Sequence, residues 1–251
     1  MRTITATRYV TPLREGGSVP AIVEADDEGL YVLKFRGAGQ GLKALVAEVI
    51  AGEIGRALGL RVPELALIEL DPAIGRAEPD AEIRDLIKKS GGLNLAMDYL
   101  PSSITFDPLV PSGLDADTAS RIVWFDAFVT NVDRTAKNPN MLVWHRQLWL
   151  IDHGAALYFH HGWDGDFTRA RSPFAPIREH VLLPFASALA EADAALRSRL
   201  SEPVLRDITA QVPEAWLGDV GRDAYLAYLT QRLTASSVFI EEAIRARAQH
   251  V

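Results

Sequence analysis

The sequence predicts an α+β protein of two lobes, with a small β-rich N-terminal lobe over residues 1–100 and a mostly helical C-terminal lobe over residues 101–251. Short runs rich in β-branched residues are concentrated in the first hundred residues, whereas longer stretches with helical periodicity dominate the remainder. A segment that combines glycine with Pro-Ser-Ser, at 90–103, is interpreted as a last strand that runs into a hinge.

In the N-terminal lobe, residues 19–25 and 30–36 are predicted to form a β-hairpin, because an acidic, glycine-ended turn separates two β-rich runs. Apolar residues recur at helical spacing over 42–58, which predicts an amphipathic helix. A further strand is expected at 64–70 and a short helix near 80–89.

In the C-terminal lobe, the sequence predicts an apolar-rich helix at 116–130 and two long helices at 183–199 and 222–247. His160 and His161 are expected in a strand, where adjacent side chains point to opposite faces, and this placement argues against a zinc site there.

The composition limits the possible partners. The chain has 26 basic and 33 acidic residues and a net charge of −7, so nucleic acid is not expected as a partner. It has no cysteine, which excludes disulfides and thiolate catalysis. The N-terminus lacks the apolar core of a signal peptide, and no apolar run is long enough to span a bilayer. We therefore expect a cytoplasmic location and no membrane partner.

The segment 131–154 carries the strongest functional signal. Asp133 is followed five positions later by Asn138, and an apolar strand then ends at Asp152. Phosphoryl transfer uses one carboxylate to orient the acceptor hydroxyl, and an amide oxygen and a second carboxylate to hold metal ions. The pattern therefore indicates a phosphoryl-transfer site, in which Asn140 is the alternative to Asn138 as the amide ligand.

Lys34 is a candidate for contacting nucleotide phosphates. Strand alternation places Val32, Lys34 and Arg36 on one face, and Leu33 and Phe35 on the other. A lysine in this role needs an acidic partner to hold it.

The predicted helix at 42–58 offers two such partners. Glu53 lies within its apolar stripe and Glu48 lies outside it, so periodicity alone favours Glu53 as the buried acid.

Two other features bear on the site. Gly16, Gly17 and Ser18 could cover phosphates with backbone N–H groups, although a plain turn explains them equally well. Asp126, within the apolar helix, is interpreted as a hydrogen-bond acceptor that orients the following loop.

Taken together, these motifs resemble the HipA-like kinases, a branch of the protein-kinase-like fold, and they share the N-x-D-R and I-D-x-G style of phosphatidylinositol kinases. The resemblance covers roughly residues 10–165 and is carried by the phrases LKFRGAGQGLKALVAE, GLRVPELALIELD, FDAFVTNVDRTAKNPNML and LWLIDHGAALYFHH. It implies a kinase that uses ATP and Mg²⁺ and phosphorylates a hydroxyl-bearing substrate, with protein serine or threonine as the default acceptor.

The resemblance also implies roles for individual residues. Asp133 would be the catalytic base, and Asn138 and Asp152 would bind magnesium. Lys34 would contact the ATP phosphates, and Glu48 would hold it.

Glu48 is chosen over Glu53 on this basis because it lies eleven residues before Gly59, as in the family pattern. Met97 and Tyr99 would lie near the hinge that receives adenine.

Some features depart from the toxins of this family. We expect the chain to lack the additional N-terminal subdomain of these toxins, and Arg134 and His153 are closer to the lipid-kinase style. A small-molecule or lipid-headgroup kinase, and a nucleotide-binding pseudokinase that acts as a scaffold, are the alternative functions.

Overall fold

A computed structural model describes residues 1–13, 19–39, 41–110 and 114–249. The chain forms two compact units: the first contains Met1–Leu45 and Pro63–Pro101, and the second contains Val46–Val62 and Ser102–Val251. Strands dominate the first unit and helices the second, which confirms the predicted α+β class.

The first unit is built on a five-stranded closed barrel in the order β1-β2-β3-β5-β4, in which β1 and β4 pair in parallel. The predicted hairpin is present as the antiparallel pair β2 and β3. The first strand was not predicted. The strands are β1 (Thr3–Pro12), β2 (Ala21–Ala25), β3 (Leu30–Lys34), β4 (Leu65–Leu70) and β5 (Gly92–Asp98).

Side chains that alternate along the strands point into the core of this unit. Leu33 and Phe35 belong to the barrel core, together with Val23, Ile68 and Ala96. A helix, α2 (Ala81–Lys89), packs on this core through Ile83 and Ile87. Its N-cap residue Asp80 accepts hydrogen bonds from the backbone N–H groups of Glu82 and Ile83.

Helix α1 (Gly41–Ala57) lies mostly in the second unit, and every residue from 45 to 52 is buried. A helix that is buried on all sides has no single apolar stripe that marks its inner face. Glu48 is 2% exposed, whereas Glu53 is half-buried and pairs with Arg56 at 3.6 Å. The prediction from periodicity that Glu53 is the buried acid is therefore wrong.

Helix α3 (Ala116–Val129) is the central helix of the second unit. Its N-cap residue Asp115 accepts a hydrogen bond from the N–H of Thr118 at 2.7 Å. All residues from 119 to 129 except Arg121 are buried, and the Trp124 indole donates to Asp193 at 2.7 Å. A small antiparallel sheet is formed by one strand before α3 and two strands after it: β6 (Ile104–Thr105), β7 (Met141–Trp144) and β8 (Gln147–Leu150).

The long helices predicted downstream are shorter than expected. The segment 183–199 becomes helical only at Leu189, because Pro184 lies in a 3-10 turn and the Ala188 N–H bonds to Ser120 Oγ of α3. The segment 222–247 is two helices separated at Ala235. The helices after α3 are α4 (Leu189–Arg197), α5 (Glu202–Thr209), α6 (Glu214–Leu217), α7 (Arg222–Thr234) and α8 (Ser236–Arg247).

Between β8 and α4 the chain is irregular and contains 3-10 turns at Tyr158–Gly162, Thr168–Arg171, Ala175–Glu179 and Leu183–Phe185. None of the helices in the described parts of the chain combines the length and the apolar character of a membrane-spanning segment.

Candidate active site

The loop that carries Asp133 starts where α3 ends. Thr130 caps the helix in the left-handed region, with φ 54°, and its N–H bonds to the Asp126 carbonyl. Asn140 at the end of the loop has φ 48°, and Asp152 after β8 has φ 55°. Non-glycine residues in this region are uncommon, and a β-branched threonine is a true outlier. Such strain is concentrated at functional sites, where the surrounding structure must hold it.

Asp133 and the two candidate asparagines lie together. Oδ2 of Asp133 accepts hydrogen bonds from Nδ2 of Asn138 at 2.7 Å and from Nδ2 of Asn140 at 3.4 Å. Burial raises the pKa of Asp133, and the negative charge of Asp152 adds to the rise, while the two amide hydrogen bonds oppose it. The half-buried Asp133 carboxylate is therefore more basic than an ordinary aspartate.

Asp152 belongs to the same cluster, because its charge acts on Asp133. The strand before it is fixed on both sides: the Leu150 N–H bonds to the Arg61 carbonyl at 2.8 Å, and the Ile151 N–H bonds to the Asn140 carbonyl at 3.0 Å. The second of these bonds joins the end of the Asp133 loop directly to the residue before Asp152.

Glu48 is attached to the residue that follows Asp152. Its Oε2 accepts the backbone N–H of His153 at 3.0 Å and lies 3.7 Å from Nδ1 of the same residue. The His153 ring is buried and contacts the edge of Phe125, with centroids 5.6 Å apart. Helix α1 is thus linked to the segment that carries Asp152.

The fully buried carboxylate of Asp126 contacts residues of this loop. Its Oδ1 accepts from Nδ2 of Asn131 at 2.9 Å and from Nη2 of Arg134 at 3.4 Å. Its Oδ2 accepts from Nε of Arg134 at 2.6 Å and from Nε2 of His180 at 2.9 Å. Burial opposes ionisation, but the charge of Arg134 and the hydrogen bond from His180 outweigh it and hold the pKa of Asp126 below its usual range. Asp126 is the loop-orienting acceptor that the sequence indicated.

The remaining candidates lie in the first unit. In the register of β3 with β5, Lys34 is opposite Leu95 and Val32 is opposite Met97, so these four side chains share the face opposite to that of Leu33, and Val32, Leu95 and Met97 are buried there. The predicted alternation around Lys34 is confirmed. The Tyr99 N–H bonds to the carbonyl of Leu30 at 3.0 Å. Gly16, Gly17 and Ser18 lie outside the described residues.

Sequence reasoning missed His180 and the contacts of Arg134. His180 follows a 3-10 turn and forms an antiparallel bridge with Thr135, and its ring contacts Asp126, 54 residues earlier. No local pattern signals such a contact. The expected strand at His160 and His161 is also wrong, because both residues lie in a 3-10 turn with their Nε2 atoms 3.2 Å apart.

The oxygen atoms of this cluster suit a hard divalent cation, which prefers carboxylate and amide oxygens. Because Asn138 donates to Asp133 through Nδ2, its Oδ1 points away from that bond and can serve as a ligand. Metal-assisted phosphoryl transfer uses carboxylate and amide oxygens of this kind.

Comparison with known proteins identifies the family of the chain. The model of the HipA-like kinase family matches residues 7–237, so the chain belongs to the HipA-like kinases. No match was found among curated proteins.

Solved structures of protein kinases share the fold. The Helicobacter pylori proinflammatory kinase CtkA is 14% identical with a TM-score of 0.53, over 92% of this chain and 95% of CtkA. The Golgi casein kinase with Mn and ADP bound is 10% identical with a TM-score of 0.57, over 100% of this chain and 76% of that chain. At these identities the likeness establishes the bilobal, protein-kinase-like fold.

Proposed function

We propose that this protein is a kinase that depends on ATP and Mg²⁺ and transfers the γ-phosphoryl group to a hydroxyl acceptor, with serine or threonine of a protein as the acceptor. The observation that supports this most strongly is the cluster of Asp133, Asn138 and Asp152 within one compact unit. Membership of the HipA-like kinases supports the class of reaction.

Asp133 is proposed as the catalytic base that orients the acceptor hydroxyl and receives its proton. A general base works best when its pKa approaches the operating pH, and burial shifts the pKa of Asp133 in that direction. The amide groups of Asn138 and Asn140 hold the carboxylate in one orientation, so its Oδ1 is the oxygen available to a substrate.

Asn138 and Asp152 are proposed as the magnesium ligands. Bound magnesium neutralises charge on the phosphates and positions them. The left-handed backbone of Asp152 and the hydrogen bonds made by the N–H groups of Leu150 and Ile151 fix where this carboxylate is presented.

Lys34, Met97 and Tyr99 of the first unit are proposed to bind the nucleotide, with Lys34 neutralising phosphate charge and Met97 and Tyr99 near adenine. Glu48, a residue of the second unit, is proposed as the acid that would hold the Lys34 ammonium group. Val32 and Met97 share a face with Lys34, so one surface carries both apolar and cationic groups. Gly16, Gly17 and Ser18 would cover the phosphates.

A protein acceptor is favoured because one of the structurally similar proteins, the Golgi enzyme, is named a casein kinase. Dephosphorylated casein is therefore a rational first acceptor, alongside the protein itself.

The test is transfer of ³²P from [γ-³²P]ATP in the presence of Mg²⁺ by the wild-type protein and by Asp133→Ala. We expect the substitution to lower the transfer rate by at least about 10³-fold, because positioning and proton transfer are both lost. MgATP binding should remain within about threefold of wild type, since Asp133 is not assigned to nucleotide binding.

Transfer by Asp133→Ala at more than about a tenth of the wild-type rate would refute the base assignment. Failure of the wild type to label casein, itself, or a panel of small hydroxyl compounds, combined with MgATP binding, would instead favour a pseudokinase.

A further inference from the structure

A group of buried, hydrogen-bonded side chains, here called the hub, contacts the loop of the candidate active site. It consists of Asp126 on α3, Arg134 in the loop, and His180 from a distant segment. All three side chains are at most 6% exposed. The Asp126 carboxylate accepts four hydrogen bonds, two at each oxygen. A buried carboxylate that is satisfied in this way is rigid, and the loss of one donor would leave a buried acceptor uncompensated.

The orientation of the His180 ring follows from its two contacts. Nδ1 accepts the backbone N–H of Leu182 at 3.0 Å, so the neutral ring carries its proton on Nε2. Nε2 therefore donates to Oδ2 of Asp126, the same oxygen that accepts from Nε of Arg134. His180 thus completes the pocket that fixes the guanidinium group.

The Arg134 guanidinium holds the backbone on both sides of the site. Nη1 donates to the carbonyl oxygens of Asn140 and, at 3.4 Å, Ile151. Asn140 ends the loop that carries Asp133, and Ile151 directly precedes Asp152. One side chain therefore holds the two segments that present the two functional carboxylates.

Backbone pairing joins the His180 segment to the same loop. Thr135 and His180 form an antiparallel bridge, and the Val181 N–H bonds to the Arg134 carbonyl at 3.1 Å. These bonds do not depend on the His180 ring, so the loop can stay attached to this segment when the ring is changed.

We propose that His180 is a positioning residue for the phosphoryl-transfer site. By donating to Asp126 it fixes Arg134, and Arg134 in turn fixes the spacing of the segments that carry Asp133 and Asp152. This role rests on the proposed function for its effect on rate, whereas the hub itself rests on the hydrogen bonds alone. Misplacement of catalytic groups by about 1 Å can cost on the order of 10²-fold in rate.

Two substitutions, His180→Asn and His180→Gln, test the roles of the two ring nitrogens separately. An asparagine oxygen occupies roughly the place of Nδ1 and keeps the acceptor for Leu182, whereas a glutamine amide nitrogen reaches the place of Nε2 and keeps the donor to Asp126. The matched control is His145→Asn, at an exposed residue on the turn between β7 and β8 whose φ of 49° suits asparagine.

For His180→Asn we expect kcat for ³²P transfer to fall by about 10- to 100-fold with KM for MgATP within about twofold. Hydrogen exchange of the backbone amides over residues 131–140 should become faster. His180→Gln should stay within about threefold of wild type in kcat and should keep slow exchange, and His145→Asn should match wild type.

Wild-type kcat and wild-type exchange in His180→Asn would overturn the proposal. Equal impairment of His180→Gln and His180→Asn would overturn it as well, because His180 would then only fill space. If His180→Asn does not fold, Arg134→Lys replaces it. This variant keeps the charge but cannot form the same fork of hydrogen bonds, so it must lower kcat and speed exchange, and wild-type behaviour would refute the proposal.

The exchange measurement separates the two proposals. If the wild-type protein transfers no phosphate, the proposed function fails, but faster loop exchange in His180→Asn than in His180→Gln still supports the hub. Normal transfer combined with identical exchange in both variants retains the function and refutes the hub.

Discussion

Asp133 combines a half-buried carboxylate with a nearby negative charge, and both raise its pKa. Its amide partners oppose this rise but keep the side chain in place. A base of this kind loses its function on acidification at a higher pH than an ordinary aspartate would.

This property predicts the pH dependence of transfer. Protonation of Asp133 removes the base, so kcat/KM should fall as the pH drops through its raised pKa, above the ordinary aspartate value of about 3.9. The measurement is kcat/KM for casein labelling against pH, which reports the free enzyme. The melting shift produced by MgATP over the same pH range is the control for nucleotide binding. A rate that stays constant down to about pH 4 would contradict the assignment.

Lys34 gives a second prediction at the residue scale. Lys34→Met keeps the aliphatic stem on its barrel face but removes the charge, so MgATP affinity and transfer rate should each fall at least about tenfold. The melting temperature without nucleotide should change by less than about 3 °C, because the side chain lies outside the barrel core. Isothermal titration with MgATP measures the first effect. Unchanged affinity and rate would make Lys34 an ordinary surface residue of the strand.

Asp133 and Asn138 could be predicted to lie together because they are close in the sequence. Asp133 and Asn138 are five positions apart in one loop, so the spacing alone limits how far apart their side chains can be. His180 could not be found in this way, because its contact with Asp126 depends on how the irregular segment after β8 folds back. The family resemblance favours Glu48 as the partner of Lys34, whereas the periodicity of α1 favours Glu53 as the buried acid; Glu48 is the buried one.

At the element scale, α3 depends on Arg232 of α7. This arginine is 1% exposed and donates to the carbonyl groups of Ala127 and Phe128, near the end of α3, and to those of Ala170 and Ser172. Burial lowers its pKa to about 10, so the guanidinium group stays protonated at neutral pH. It ties the end of α3 to the irregular segment.

Arg232→Met should therefore destabilise the protein. The substitution keeps much of the side-chain volume but leaves several buried carbonyl groups without donors, so the free energy of unfolding should fall by about 3 kcal/mol. Urea denaturation measures this change. The control is Arg245→Met on α8, where an exposed arginine pairs with Glu242 and the expected loss is below about 0.5 kcal/mol. Equal effects of the two substitutions would contradict this role of Arg232.

Elements with local signals were predictable, and those without them were not. The hairpin of β2 and β3 has a turn signal between two β-rich runs, and α2 has an aspartate cap. The break between α7 and α8 at Ala235 has neither glycine nor proline, so helical periodicity continues through it in the sequence. Ser236, directly after the break, is fully buried.

At the scale of the whole molecule, the change from strands to helices could be read from the sequence because each region repeats one period many times. The division of residues between the two compact units could not be read from the sequence, because α1 follows the hairpin in the chain but lies mostly in the helical unit. The motif phrases cover roughly residues 10–165, and the family match extends to residue 237. The family match therefore includes the helices α4 to α7, which follow the irregular segment.

Nucleotide binding at the proposed site should depend on a metal ion held by Asp152. The most direct test is a thermal-shift titration with ATP and MgCl₂ on the wild type, on Asp152→Ala, and on Asp207→Ala as an exposed control in α5. Nucleotide at about 100 times its Kd should stabilise the wild type by about 2.7 kcal/mol, which raises Tm by about 5–10 °C. This shift should require MgCl₂, persist in Asp207→Ala and disappear in Asp152→Ala. A shift that is unchanged in Asp152→Ala would contradict the role of Asp152 as a metal ligand, and no shift in the wild type would contradict the nucleotide site.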